Sequence, residues 1–224
     1  YAPKGYSPIP TLLQNKTILV TGAGDGIGRA AAIAYAARGA TVILVGRTVS
    51  KLEQVYDHIE SSGGPQPAIL ELDMASATED NFLALADSIA GAFPHLDGLL
   101  HNAAVLGEMR PIQNTAYDRW SEIMQVNVNA QFLLTQATLP LLQRAPSASI
   151  IFTSSSVGRL GRAYWGAYAV SKFATEGLMQ TLAAELENTS KVRVNSLNPG
   201  ATNTAMRRAA YPAEEPSSNP LPED

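Results

Sequence analysis

The sequence predicts an α/β fold in which a parallel sheet carries helices on both faces. Six short apolar runs, several rich in β-branched residues, alternate with segments of helical length and spacing. Alternation of this kind is typical of a parallel sheet. A chain of 224 residues is long enough for one such domain with a substantial core. We therefore expect a single domain over 1–224, with an extended N-terminal segment at 1–14.

Local patterns place each element in chain order. An apolar run at 17–20 ends at Gly22, and four apolar residues then recur at helical spacing, Ile27, Ala30, Ala31 and Ala34. The chain thus begins with a strand, a glycine turn and a helix. The same criteria predict strands at 17–20, 41–45, 68–72, 98–101, 149–153 and 192–196. They predict helices at 26–38, 49–61, 77–93, 116–142 and 168–187.

The helix predicted at 116–142 has further local signals. The run from Thr115 reads Thr-Ala-Tyr-Asp, which predicts a capping box, and Pro140 predicts a kink or an end. Asn127 and Asn129 lie in the interior, where asparagine is unfavourable unless its amide has a partner. We therefore expect one of them to make a structural or functional hydrogen bond.

Composition argues against several classes of function. The net charge is −4, the isoelectric point is about 5.4 and no basic block is present, which disfavours a nucleic-acid partner. No apolar run approaches the roughly 20 residues of a membrane span. The absence of cysteine fits a reducing cytoplasm. We therefore expect a cytoplasmic protein without a membrane partner. The three histidines, His58, His95 and His101, lack metal-ligand spacing, so no metal site is predicted.

The glycine turn at 21–28 carries the first functional signal. Glycines let the backbone turn sharply and let a phosphate approach the helix N-terminus, where free N–H groups and the helix dipole favour an anion. The spacing fits neither G-x-G-x-x-G nor the Walker pattern. A turn needed only for backbone geometry is the alternative. The candidate residues are Thr21, Gly22, Gly24, Asp25, Gly26, Ile27 and Gly28.

Further candidates follow the ends of other strands, where ligands bind on parallel sheets. Arg47 stands after the second strand, where an NAD site usually has an acidic residue, and its guanidinium suits a 2′-phosphate. NADP is therefore favoured over NAD, although Asp25 is unfavourable near phosphate and a solvated surface arginine is the alternative. Asp73 either accepts a hydrogen bond from an adenine amino group or caps the next helix. His101 is expected to be a hydrogen-bonded core histidine.

A second cluster lies after the fifth strand. Ser155 stands in a run of three serines, and Tyr168 and Lys172 are spaced i, i+4, which puts both on one face of a helix. A neighbouring ammonium favours phenolate, so we expect the pKa of Tyr168 to fall toward neutrality, where a phenol exchanges protons efficiently. For these two residues alone, an ordinary amphipathic helix is the stronger interpretation.

Together these motifs resemble the short-chain dehydrogenase/reductase family. The resemblance covers nearly the whole chain, with Thr-Gly-x-x-x-Gly-x-Gly at 21–28, a serine at 155 and Tyr-x-x-x-Lys at 168–172. The runs MQVNVNAQFLLTQ, FTSSSVGR and GAYAVSKFATEG are most similar to a bacterial branch of uncharacterised oxidoreductases. The resemblance implies a Rossmann-type doubly wound sheet of strand order 3-2-1-4-5-6. The family's usual seventh strand has no counterpart here, so either the sequence is truncated or the sheet ends early.

The resemblance also implies roles for individual residues. Ser155 corresponds to the catalytic serine, Tyr168 to the general acid/base and Asn127 to the helix asparagine of the proton relay. Lys172 corresponds to the residue that holds the nicotinamide ribose and lowers the tyrosine pKa. In the family's Asn-Ala-Gly run, this chain has Ala104 in place of glycine. The positions matched to cofactor contacts are Asn102, Ala103, Pro199, Gly200, Thr202 and Thr204.

The function that this resemblance implies is hydride transfer between NADP(H) and a carbonyl or secondary-alcohol substrate. A non-catalytic NADP(H)-binding sensor or scaffold is the alternative, but it gives no reason for Ser155, Tyr168 and Lys172 to occur together. The family also implies a homo-oligomer, either a dimer or a tetramer. The segment 205–224 has four prolines and four acidic residues from Tyr211 onward, which predicts a mobile lid or tail.

Overall fold

The computed structural model describes residues 7–224, so residues 1–6 of the predicted N-terminal segment lie outside the described residues. Six strands form one sheet, and every pairing in it is parallel. The strand order is β3-β2-β1-β4-β5-β6, which confirms the predicted fold class and order. The strands are β1 (Thr17–Thr21), β2 (Thr41–Gly46), β3 (Ala68–Glu71), β4 (Gly98–His101), β5 (Ala148–Thr153) and β6 (Val192–Leu197).

Helices cover both faces of the sheet, as the strands require. On β1, Leu19 belongs to the apolar core that includes α3, α5 and α6, whereas Ile18 and Val20 belong to the core against α1 and α2. Successive side chains of a strand point to opposite faces, so a strand buried on both faces is apolar at every position. The α-helices of the described residues are α1 (Gly26–Ala36), α2 (Val49–Ser61), α3 (Glu79–Ala92), α4 (Tyr117–Met124), α5 (Ala130–Arg144), α6 (Gly166–Leu186) and α7 (Ala205–Ala210).

The single helix predicted at 116–142 is divided in the structure. A π-helical turn at Gln125–Asn129 separates α4 from α5. Of the two predicted effects of Pro140, the end of the helix is wrong, because α5 continues past it to Arg144. Gln136 and Pro140 both lie on the exposed side of α5, where water can replace the N–H donor that proline lacks.

The capping box predicted at Thr115 is also wrong. Helix α4 begins one residue later than that motif requires, after Ala116, and the Thr115 hydroxyl donates instead to the Pro111 carbonyl at 3.3 Å. A reciprocal capping box occurs at the start of α3, between Thr78 and Asn81. No helix in the described part of the chain is both long enough and apolar enough to cross a membrane.

Candidate active site

The carboxyl ends of the strands open into one large cleft of about 510 Å³. It lies where the strand order reverses between β1 and β4, which is where doubly wound sheets bind ligands. Thr21, Gly28 and Asn127 are buried behind its surface. The other predicted site residues line the cleft: Gly22, Gly24, Asp25, Gly26, Ile27, Arg47, Asp73, Asn102, Ala103, Ser155, Tyr168, Lys172, Pro199, Gly200, Thr202 and Thr204.

The glycine turn packs tightly against the loop that follows β4. A Cβ at Gly28 would overlap the Gly22 carbonyl oxygen and the Asn102 side chain, so only glycine fits there. The Thr21 hydroxyl accepts the N–H groups of Asn102 and Ala103 at 2.9 and 3.0 Å. Thr21 and Gly28 therefore hold the turn in place from behind.

Asp25 caps the helix that leaves the turn. Its carboxylate accepts the Gly26 N–H at 2.8 Å and forms an ion pair with Lys51 at 2.5 Å. The hydrogen bond from Lys51 lowers the pKa of Asp25. The negative charge of Asp25, which is unfavourable for phosphate binding, is thus balanced by Lys51. The sequence did not predict Lys51 as a site residue. Lys51 lies in the first turn of α2, and it and Arg47 both line the cleft.

Asp73 follows β3 and lines the same end of the cleft. Its carboxylate accepts the Ala75 N–H at 3.1 Å. The next helix, α3, is capped by Thr78. The structure therefore contradicts the helix-cap alternative for Asp73.

Ser155, Tyr168 and Lys172 come together on another wall of the cleft. The last two lie one turn apart on α6, and the Lys172 Nζ is 5.5 Å from the centroid of the Tyr168 ring. Lys172 is almost completely buried, and its ammonium donates to the Thr153 carbonyl at 2.8 Å. A hydroxyl, a phenol and an ammonium thus face one small region.

Burial dominates the titration of these groups. It raises the pKa of Tyr168 to about 12, and the polar contact with Ser155 offsets this only in part. Burial also lowers the pKa of Lys172 to about 8. The prediction that Lys172 brings the pKa of Tyr168 toward neutrality is therefore wrong for this structure, because burial disfavours the phenolate and raises the pKa instead. At neutral pH the phenol is protonated.

Asn127 lies behind this wall in the π-helical turn. Its Oδ1 accepts the Val105 N–H at 2.8 Å, and its Nδ2 donates to the Val105 carbonyl at 2.9 Å and to the Ser171 Oγ at 3.0 Å. The Ser171 hydroxyl donates in turn to the Tyr168 carbonyl at 2.7 Å. Asn127 therefore makes the predicted hydrogen bonds and ties the loop after β4 to α6.

His101 is a core residue, as predicted. Its Nε2 lies 2.8 Å from the Thr135 hydroxyl, and its ring stacks on Phe152 with centroids 4.6 Å apart. Complete burial lowers the pKa of His101 to about 3, so the imidazole is neutral.

Sequence reasoning missed the wall that α7 contributes. Met206 and Arg207 line the cleft together with Trp165. The Trp165 ring lies 5.8 Å from that of Tyr168 and 5.9 Å from that of Tyr211, measured between centroids. No spacing in the sequence signals this wall, because it forms only when a helix of six residues packs beside α6.

Comparison with known proteins agrees with this geometry. A family model described as short chain dehydrogenase matches residues 16–215. The chain belongs to the short chain dehydrogenase family. This short chain dehydrogenase is 54% identical over 219 residues to "Uncharacterized oxidoreductase YciK" of Escherichia coli (strain K12), covering 98% of this chain and 86% of that protein. The predicted similarity to a bacterial branch of uncharacterised oxidoreductases is thus confirmed.

Two further relatives bear on the chemistry. Cyclohexanol dehydrogenase of Acinetobacter sp. (strain SE19) is 30% identical over 209 residues, covering 92% of this chain and 81% of that protein. A short chain dehydrogenase from Shigella flexneri 2a str. 301, solved in complex with NADP, superposes with a TM-score of 0.94 at 52% identity, covering 96% of this chain and 89% of that one. The family places this chain among oxidoreductases that act on small molecules.

Proposed function

We propose that this short chain dehydrogenase transfers a hydride between NADP(H) and a carbonyl or secondary-alcohol substrate, with Tyr168 as the general acid/base. The observation that carries the proposal is the shared cleft. Ser155, Tyr168 and Lys172 line one part of it, and the cations of Arg47 and Lys51 line another. The NADP complex of the Shigella flexneri relative and the name of the cyclohexanol dehydrogenase support the same conclusion.

The residues of the cleft fit NADP. At the start of α1 the Asp25 carboxylate caps the Gly26 N–H, and the glycine turn lets a pyrophosphate approach the helix N-terminus beside it. The guanidinium of Arg47 supplies the charge that a 2′-phosphate requires, and Lys51 balances the nearby charge of Asp25 that would otherwise repel the phosphate. The Asp73 carboxylate is an acceptor for the adenine amino group. Loop residues expected to contact the ribose and nicotinamide are Asn102, Ala103, Pro199, Gly200, Thr202 and Thr204.

Ser155, Tyr168 and Lys172 each have a separate role in the proposed reaction. NADPH, when bound, supplies the hydride that adds to the carbonyl carbon. The protonated phenol of Tyr168 donates its proton to the carbonyl oxygen, and the Ser155 hydroxyl stabilises the negative charge that develops there. Lys172, with a pKa of about 8, exchanges protons readily near neutral pH and holds the ribose. Asn127 has a fixed position in the π-helical turn. There it holds in place the chain of groups that passes the proton onward.

The proposal is tested with Tyr168→Phe. Wild type is expected to oxidise NADPH when cyclohexanone is added, and the variant to lose at least roughly 100-fold of kcat, which is the lower range of general acid catalysis. NADPH affinity, followed by nucleotide fluorescence, should stay within about twofold, since the ring remains in place. Tyr56→Phe is the matched control, because its hydroxyl lies on α2 and bonds to Gln66.

Two results contradict the proposal. Turnover retained in Tyr168→Phe removes the phenol from the mechanism. Tight NADPH binding by wild type, with no oxidation across a panel of aldehydes, ketones and quinones, favours the non-catalytic sensor instead.

A further inference from the structure

A cation lies on the aromatic side of the cleft that the proposed reaction does not use. Arg207 lines the cleft from α7, and its neighbour Met206 packs against the apolar cluster that contains Tyr168. The guanidinium lies 3.8 Å from the centroid of the Tyr211 ring, which neighbours Trp165, which in turn neighbours Tyr168. A continuous aromatic wall thus connects this cation to the candidate catalytic phenol.

The guanidinium of Arg207 already holds a carboxylate. Its Nε and Nη2 donate to the two carboxylate oxygens of Glu214, at 2.6 Å each. Two parallel N–H···O bonds are the geometry in which arginine recognises a free carboxylate. The Asn219 side chain donates to the same carboxylate at 2.9 Å. Arg207 is therefore oriented for a carboxylate ligand, and a residue of this chain occupies that position.

Glu214 belongs to a segment that is weakly held. None of the residues 211–224 is buried. Apart from the Arg207–Glu214 pair and the contacts of Tyr211 with Arg207 and Trp165, the segment is attached by the hydrogen bond from the Asn203 N–H to the Pro220 carbonyl, at 2.8 Å, and by an exposed ion pair between Arg29 and Glu223. Exposed ion pairs add little stability, and segments without buried contacts open most readily. Displacement of Glu214 therefore leaves the core of the protein undisturbed.

The charges of the cleft are distributed in a way that favours an anion near α7. Among the described residues, its acidic lining consists of Asp25 and Asp73, which follow β1 and β3 in the part assigned to the cofactor. Near Tyr168 the lining includes Leu106 and Trp165. A ligand with an anionic end and an apolar body matches this distribution.

We propose that Arg207 binds a carboxylate group of the substrate, and that Glu214 occupies the guanidinium until the substrate displaces it. The inference rests on the proposed function, which supplies the carbonyl or alcohol group at Tyr168. The substrates are then oxo acids and hydroxy acids whose reacting carbon and carboxylate are separated by an apolar ring or chain.

Calorimetry on the NADP⁺-loaded protein tests this without turnover. The probes are cyclohexanecarboxylate and its neutral counterpart cyclohexanecarboxamide. We expect wild type to bind the acid at least roughly tenfold more tightly than the amide, as is typical of a charged hydrogen-bonded pair. Glu214→Gln, which removes the competing charge, should tighten binding of the acid about fivefold or more.

Arg207→Gln should abolish the preference for the acid, whereas the matched control Arg208→Gln, on the same helix, should keep it. Arg207→Lys retains the charge without the two-pronged geometry and should show an intermediate preference, which decides the matter even if the glutamine variant does not fold. Equal binding of acid and amide by wild type overturns the inference. A preference that survives Arg207→Gln also overturns it.

Loss of NADP⁺ affinity in Arg207→Gln, with the preference for the acid unchanged, places the guanidinium on the cofactor and overturns the inference as well. These failures are distinct from failure of the proposed function. The latter is decided by the reduction of cyclohexanone, which has no carboxylate and is independent of Arg207.

Discussion

Tyr168 and Lys172 lie one helical turn apart, yet burial acts on them in opposite directions. It raises the pKa of the phenol to about 12 and lowers that of the ammonium to about 8. Both shifts favour the neutral form, as desolvation always does. At neutral pH this arrangement suits proton donation by Tyr168, and hence the reduction of a carbonyl, better than the oxidation of an alcohol.

The two directions of the reaction should therefore respond differently to pH. In the proposed mechanism, oxidation of an alcohol such as cyclohexanol uses the phenolate of Tyr168, whose fraction grows about tenfold per pH unit well below the pKa. We expect kcat/KM for oxidation to rise at nearly that slope from pH 6 to about 7.5, and kcat/KM for reduction to stay flat. Steady-state kinetics in both directions over this range measure the slopes. Parallel profiles would contradict the assignment of Tyr168 as the titrating group.

His101 has a pKa of about 3 in the folded protein and about 6.5 in the unfolded chain. Between these pH values the imidazole is neutral when folded and protonated when unfolded. The unfolded chain binds more protons between these values, and stability is lost as pH falls below about 6.5. The loss amounts to about 2 kcal/mol between pH 6.5 and 5. Urea unfolding at the two pH values should show a smaller loss in His101→Gln. The exposed His58→Gln should match wild type, and an unchanged loss in His101→Gln would contradict the prediction.

At the scale of elements, the π-helical turn between α4 and α5 decides where Asn127 points. A wider turn shifts the side chains that follow relative to an α-helix, which lets Asn127 reach the loop after β4. Helix α6 contributes two hydroxyl groups to the contact with this region. Ser171 accepts from Asn127, and Thr175 donates to Gln131 at 3.1 Å. The turn and α6 thus form one buried polar contact behind the candidate catalytic wall.

Ser171→Ala should destabilise the protein by about 1 to 3 kcal/mol, because the buried Nδ2 of Asn127 and the carbonyl of Tyr168 each lose a partner. Thr189→Ala removes a hydroxyl that also donates to a helix carbonyl, but at an exposed site, and should lower stability by less than about 0.5 kcal/mol. Thermal or urea unfolding measures both. Equal losses of stability in the two variants would mean that the buried hydrogen bonds of Ser171 contribute no more than the exposed one of Thr189.

Across the whole molecule, a buried set of stabilising contacts and the candidate active site lie at opposite ends of the sheet. At the amino ends of the strands, the buried Asp97 carboxylate accepts the Thr17 N–H at 2.9 Å and the Lys16 ammonium at 2.8 Å, which joins the start of β1 to the start of β4. The same two strands part at their carboxyl ends to form the cleft. The amino ends of β1 and β4 are thus joined by side-chain contacts, whereas the cleft separates their carboxyl ends.

Asp97→Asn should therefore lower the free energy of unfolding by about 2 kcal/mol while leaving NADPH affinity unchanged. The exposed Asp87→Asn on α3 is the control and should change neither quantity. Denaturant unfolding and fluorescence titration with NADPH measure the two effects. A weakened NADPH affinity in folded Asp97→Asn would show that the two ends are coupled.

The sequence by itself determined the order of the six strands, and most of the site residues that it predicted line the cleft. The apolar runs of the strands, the glycine turn and the i, i+4 pair of Tyr168 and Lys172 are local patterns. The end of each parallel strand then delivers its residues to one edge. Strand order came from the resemblance carried by those motifs, and the sheet confirmed it.

Only the tertiary structure decided the properties that depend on distant neighbours. These are the raised pKa of Tyr168, the continuation of α5 through Pro140, the ion pair of Lys51 and the carboxylate held by Arg207. Burial and pairing depend on which surfaces meet after folding. A local pattern therefore specifies which groups are present at the site, whereas packing sets their charge and their partners.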